Sequence, residues 1–210
     1  MAVVACSVPA SATISYYVED VNGFNLASTG LTVVPASFNS LSGTFTSTTI
    51  AGITFAGFDG ALNPANLTAL ANPGGGWPAG ALLARAANGG GITITFPASV
   101  KAFYFTASFV GGSFNPFFRL APTTAADNTV RDVQIAVADT PYFIGVVADQ
   151  DILTATLSFP FNSSVAVEIG GFAIKTPNIE VSDAPEPAAL LLTSVGLIAL
   201  GFLGRRASRR

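Results

Sequence analysis

The chain has 210 residues, half of them hydrophobic and only 10% charged, and its 17 Phe exclude an unfolded chain while fitting one domain with appendages. Histidine is absent and the single cysteine is Cys6, which excludes Ser-His-Asp and Cys-His catalysis, a disulfide framework and most zinc or iron sites. Across residues 13–184 five basic residues face eleven acidic ones, a balance of −6 that excludes nucleic-acid binding through the phosphates.

In chain order, residues 1–12 read as a truncated signal peptide. An apolar stretch ends in Ala10-Ser11-Ala12, which places small residues, Ala10 and Ala12, where a signal peptidase prefers them. No Lys or Arg precedes it and it is shorter than the ~15 to 30 residues of a complete signal, so the translation start is expected upstream. An ordinary first strand, or Val3-Val4-Ala5-Cys6 as a lipoprotein box, are the alternatives.

Residues 13–180 are expected to form an exported β-sandwich ectodomain. Period-2 alternation predicts about ten strands: near 14–18, 31–34 and 53–58, then 92–96, 103–109, 133–137, 142–147, 153–159, 165–169 and 172–174. Threonine-rich outer positions and Phe- or Val-rich inner ones suit two antiparallel sheets packed as a sandwich or jelly roll. Asn22-Gly23, Asp59-Gly60, Asn88-Gly89-Gly90-Gly91, Gly111-Gly112 and Gly170-Gly171 mark turns. One short helix is predicted after Asn63, with Pro64 at its first position and Leu67 and Leu70 toward the core.

Three candidate sites lie along this stretch. Trp77 is the only tryptophan and sits in a Gly- and Pro-rich loop, with Tyr16 and Tyr17 as further aromatic surfaces. It is either a platform for a sugar ring or a plug closing the core. Asp149-Gln150-Asp151 offers two carboxylates to a calcium ion, with Asp127 or Asp139 nearby, although it lacks the spacing of a calcium loop and fits ordinary turn chemistry. Glu168 stands among apolar strand residues, but a glycosidase needs a second carboxyl ~5 to 9.5 Å away in a cleft, so no catalytic residue is assigned. Asn66-Leu67-Thr68 and Asn162-Ser163-Ser164 match glycosylation sequons by composition alone.

Residues 181–187 are a linker ending in Pro185-Glu186-Pro187, and 188–204 are expected to be a transmembrane helix followed by a basic cytoplasmic tail, 205–210. The uncharged run 188–203 spans roughly 24 Å as a helix, against a ~30 Å hydrocarbon core, so it crosses with bilayer thinning or snorkelling. Arg205, Arg206, Arg209 and Arg210 fix the tail inside by the positive-inside rule.

At Pro185-Glu186-Pro187, the apolar run and the arginine tail, the chain resembles the PEP-CTERM proteins. That resemblance implies recognition by exosortase, a membrane protease-transpeptidase, and removal of the tail. It also implies passage through an inner-membrane intermediate to the surface or matrix of a Gram-negative bacterium. A looser likeness to PEP-CTERM ectodomains runs through 91–97, 102–105, 143–147 and 167–172. The expected fold class is all-β with one short helix plus a C-terminal transmembrane helix. The expected protein is non-enzymatic and structural or adhesive, with exosortase and the membrane as partners and calcium as the sole candidate cofactor. The alternative is a carbohydrate-binding module that links exopolysaccharide to the envelope.

Overall fold

A computed structural model of the chain describes residues 13–70, 81–85, 90–110, 117–134, 140–158 and 166–177. The chain divides into two units, Met1–Asn178 and Ile179–Arg210, and the second lies outside the described residues.

The elements in chain order are β1 (Ile14–Val18), α1 (Val21–Ala27), β2 (Leu31–Ala36), β3 (Gly43–Phe45), β4 (Ser47–Ile50), β5 (Ile53–Phe58), β6 (Pro64–Ala65) and β7 (Leu67–Leu70). They continue with β8 (Ala81–Arg85), β9 (Gly91–Thr95), β10 (Ala102–Val110), β11 (Phe117–Thr124), β12 (Arg131–Gln134), β13 (Tyr142–Ala148), β14 (Ile152–Ser158) and β15 (Ala166–Pro177). The first sheet runs β1-β13-β10-β15-β8-β7-β3, with β2 also on β15. The second runs β12-β11-β14-β9-β5-β4, with β6 on β5. All pairings among the described residues are antiparallel.

The alternation predicted from the sequence is what seals the core. In β5, Ile53 and Phe55 are buried while Thr54, Ala56 and Phe58 are half-exposed. In β11, Phe118 and Leu120 point inward between the exposed Arg119 and the half-exposed Ala121. The rings meet at Phe172, whose centroid lies 5.1 Å from Phe55, 6.0 Å from Phe103 and 5.9 Å from Phe105. Each fully buried side chain of this size contributes ~1.5 to 3 kcal/mol of transfer free energy.

Several expectations need correction. The fold is all-β with one short helix, and among the described residues no helix is long and apolar enough to cross a membrane. The transmembrane helix expected at 188–204 lies outside the described residues, and the fold class is corrected to the all-β sandwich that they show. The short helix is also elsewhere. Residues 64–65 and 67–70 are strands, because the Asp59 carboxylate gathers the N–H groups of Ala61 and Asn63 into a turn and Leu67 enters the core from a strand. The helix instead covers 21–27, where Asp20 caps it by accepting the Gly23 N–H at 2.8 Å. Gly170-Gly171 is not a turn: it lies inside the continuous strand β15, at a register shift against β10, with Gly171 at φ +56°. In the strand expected at 153–159, Leu153 is exposed and Ile152, just before it, is buried beside the register shift of β14 against β11.

Candidate functional site

The outer face of the second sheet is assembled by register. Paired residues of an antiparallel sheet share a face, so the pairings of β4, β5, β9, β14, β11 and β12 align their outward side chains into rows. One row reads Thr49, Thr54, Thr95, Thr154 and Thr123 across five strands. The next reads Ser47, Ala56, Thr93, Thr156 and Ala121. The third reads Phe58, Gly91, Ser158, Arg119 and Asp132. Strand neighbours stand ~4.8 Å apart and successive rows ~6.8 Å apart. Apart from Gly91, the members of these rows keep partial or full exposure, and Thr49 and Thr54 touch through their hydroxyls at 2.9 Å.

The third row carries the chemically richest groups. A Cβ on Gly91 would lie 2.8 Å from Phe58 Cζ and 1.9 Å from the Leu157 carbonyl oxygen, so only glycine lets the Phe58 ring lie across the neighbouring strand. That ring is half-exposed on the outer face. At the other end Arg119 donates through Nε to Asp132 Oδ1 at 2.9 Å, and this bond raises the guanidinium's pKa above its ordinary value. With side chains 47% and 51% exposed, the pair contributes little to stability. Its use is positional: four guanidinium N–H donors and one carboxylate oxygen remain for a ligand.

The first sheet presents a different outer face. There α1 inserts Phe24 against Tyr17, Tyr104 and Phe143, with ring centroids 6.0, 5.5 and 5.5 Å away. Beneath it, Lys175 donates to Ser28 Oγ at 2.7 Å and to Asn25 Oδ1 at 3.3 Å, with its ammonium 4.7 Å from the Phe24 ring. Burial lowers the pKa of Lys175.

The residues singled out from the sequence are placed as follows. Asp149 accepts the Thr13 N–H at 3.0 Å, while Lys101 donates to the Asp149 carbonyl at 2.9 Å and pairs with Asp151 at 3.0 Å. An ammonium thus stands between the two aspartates proposed for calcium, and among the described residues no group of three His, Cys, Asp or Glu is placed to hold a metal. Asp127 accepts the Thr129 hydroxyl at 2.7 Å, and Tyr16 donates to the Thr129 carbonyl at 2.7 Å, with Arg131 over its ring. Trp77, Asp139, Ala10, Ala12, Pro185, Glu186, Pro187, Arg205, Arg206, Arg209 and Arg210 lie outside the described residues. Phe58, Arg119, Asp132 and Ser158 escaped the sequence reading. Thr93-Ile94-Thr95 and Thr154-Ala155-Thr156 signalled an outer face, but nothing in one chain segment states which strands lie side by side.

No family model matches the chain, and no curated protein is significantly similar to it. In fold it is similar to the CBM22-1 xylan-binding domain of Xyn10C from Paenibacillus barcinonensis. The identity is 12% and the TM-score 0.43, over 70% of this chain and 96% of that one. It is also similar to a mutant of the family 29 module CBM29-2 complexed with mannohexaose, at 13% identity and TM-score 0.46, over 70% and 92%. A third is CBM29_1 from Piromyces equi, at 11% identity and TM-score 0.40, over 70% and 91%. With every TM-score below 0.5, these likenesses transfer no residue and no ligand. The resemblance to PEP-CTERM proteins is corrected: no family model supports it, and the described fold holds no membrane helix. Exosortase as partner, the inner-membrane intermediate and the surface localisation that rested on it are withdrawn with it.

Proposed function

We propose that the β-sandwich is a carbohydrate-binding domain whose ligand lies across the strands of the second sheet, along the row from Phe58 to Asp132. In this reading the domain binds its sugar without cleaving it. The observation that carries the reading is the composition of that row: an aromatic ring at one end, a hydroxyl in the middle and an Arg–Asp pair at the other, aligned by register on one exposed face. Sugars offer both an apolar face, which stacks on a ring, and hydroxyl groups, which pair with fixed donors and acceptors. Four strand spacings give the row ~19 Å, room for several sugar units. This reading replaces the structural or adhesive role expected from the sequence, and the sugar contact moves from Trp77 to residues the structure describes.

The test is affinity electrophoresis through gels containing xylan, mannan or soluble β-glucan, three neutral polymers that offer both apolar ring faces and hydroxyl groups. We expect retardation by at least one of them and an about tenfold weaker Kd for Phe58→Ala, which removes a stack worth ~0.5 to 1.5 kcal/mol together with its buried area. Equal retardation of Phe58→Ala and the unsubstituted protein would sink the proposed row.

A further inference from the structure

Resting on that reading, we infer that the ligand is an ordered solid of parallel neutral glycan chains rather than one dissolved chain. A single chain laid across the strands occupies one row. Yet the same face presents hydroxyls in two further rows, which share β5, β9, β14 and β11 with the first and follow at the same ~6.8 Å interval. These rows add nothing for one chain and give a lattice of parallel chains a second and third line of contact.

Three properties of the face agree with such an occupant. The side chains are stiff: threonine is β-branched and holds few χ1 states, so hydroxyl and methyl positions recur from strand to strand at little entropic cost. Charge is also matched. The first two rows carry none, and Arg119 and Asp132 neutralise one another in the third, so a neutral polymer meets a neutral surface. A polyanionic polymer would instead meet a chain whose residues 13–184 sum to −6. Area argues against a protein partner. Three rows, each five strands long, cover ~19 Å by ~14 Å, on the order of 270 Å², a third of the ~800 Å² per partner typical of a stable protein complex.

Sheet twist, ~20 to 25° between neighbouring strands, limits contact with a rigid plane to the middle of the face. The central strands β5, β9 and β14 supply Thr54, Thr95 and Thr154 from one row and Thr93 and Thr156 from the next. The lattice contact is therefore assigned to these five threonines, whereas Phe58 and Ser158 serve any bound chain.

The experiment compares depletion of the full chain by crystalline cellulose, crystalline mannan and chitin with its calorimetric affinity for cellohexaose, mannohexaose and chitohexaose. We expect at least one solid to bind about tenfold more tightly than its own hexamer. Thr95→Lys and Thr156→Lys should each lose most of that solid binding and keep the hexamer affinity, which also certifies their folding. Phe58→Ala should lose both. Solid binding unchanged in the two lysine variants, with hexamer binding intact, overturns this inference and leaves the glycan reading standing. Retention by neither solid nor hexamer overturns the reading itself. Leu26 is 79% exposed on the other sheet's helix, so loss of solid binding in Leu26→Lys would reveal adsorption through that helix and also overturn the inference.

Discussion

Tyr16 and Lys175 show how single side chains on opposite sides of β1 and β15 respond to pH. Burial pushes the Tyr16 phenol up to about 12 from 10.0, opposed by Arg131 and helped by Asp127. Because the native state keeps a proton that the unfolded chain releases, this contribution is complete below the unfolded value and disappears as pH rises through about 12. Urea denaturation between about pH 9 and about pH 11 should therefore cost the unsubstituted protein more stability than Tyr16→Phe. Lys175 has the opposite sign. Burial holds its pKa below 10.5, so the unfolded chain binds the extra proton and stability gains as pH approaches 10.5. Lys175→Met should abolish that gain in the same titration.

At the scale of elements, α1 depends on its attachments. Seven residues including Gly23 and two Asn do not sustain an isolated helix. The Asp20 cap and the burial of Phe24 among Tyr17, Tyr104 and Phe143 hold it in place. Asp20→Ala should cost ~1 kcal/mol in urea denaturation. Gly145 lies beneath the Phe24 ring, and a Cβ there would stand 2.4 Å from Phe24 Cδ2. Gly145→Ala should therefore push the ring out and cost ~1 to 3 kcal/mol. Faster proteolytic cleavage within residues 19–30 would confirm that the helix has lifted, and unchanged cleavage would contradict its dependence on Phe24.

At the scale of the whole molecule, the two sheets share one core and should unfold together. Phe172 touches rings from both sheets, so Phe172→Ala should lower stability by ~3 to 5 kcal/mol while leaving a single calorimetric transition. Two separate transitions would show that the sheets are independent. The ion pairs found among the described residues, Lys101–Asp151 and Arg119–Asp132, are both partly exposed. Raising the salt concentration should consequently shift the midpoint little through screening.

The sequence by itself determined the all-β class, because alternation in stretches such as 53–58 and 92–96 is a local property that any sheet must satisfy. Where a predicted strand is regular, as at 92–96 and 103–109, alternate residues are buried, Ile92, Ile94, Phe103 and Phe105 among them. The sequence missed β3, β4 and β11, whose Gly, Thr and Pro content hides the period, and β8, whose Ala-Leu-Leu-Ala run shows no alternation, and it placed the helix by a Pro64 signal that the Asp59 turn overrides. Only the tertiary structure decided the candidate site. Phe58 and Asp132 are 74 positions apart, and each looks like an ordinary outward strand residue until four successive pairings bring them into one row. Register between distant strands is set by core packing and turn geometry, which no local pattern encodes.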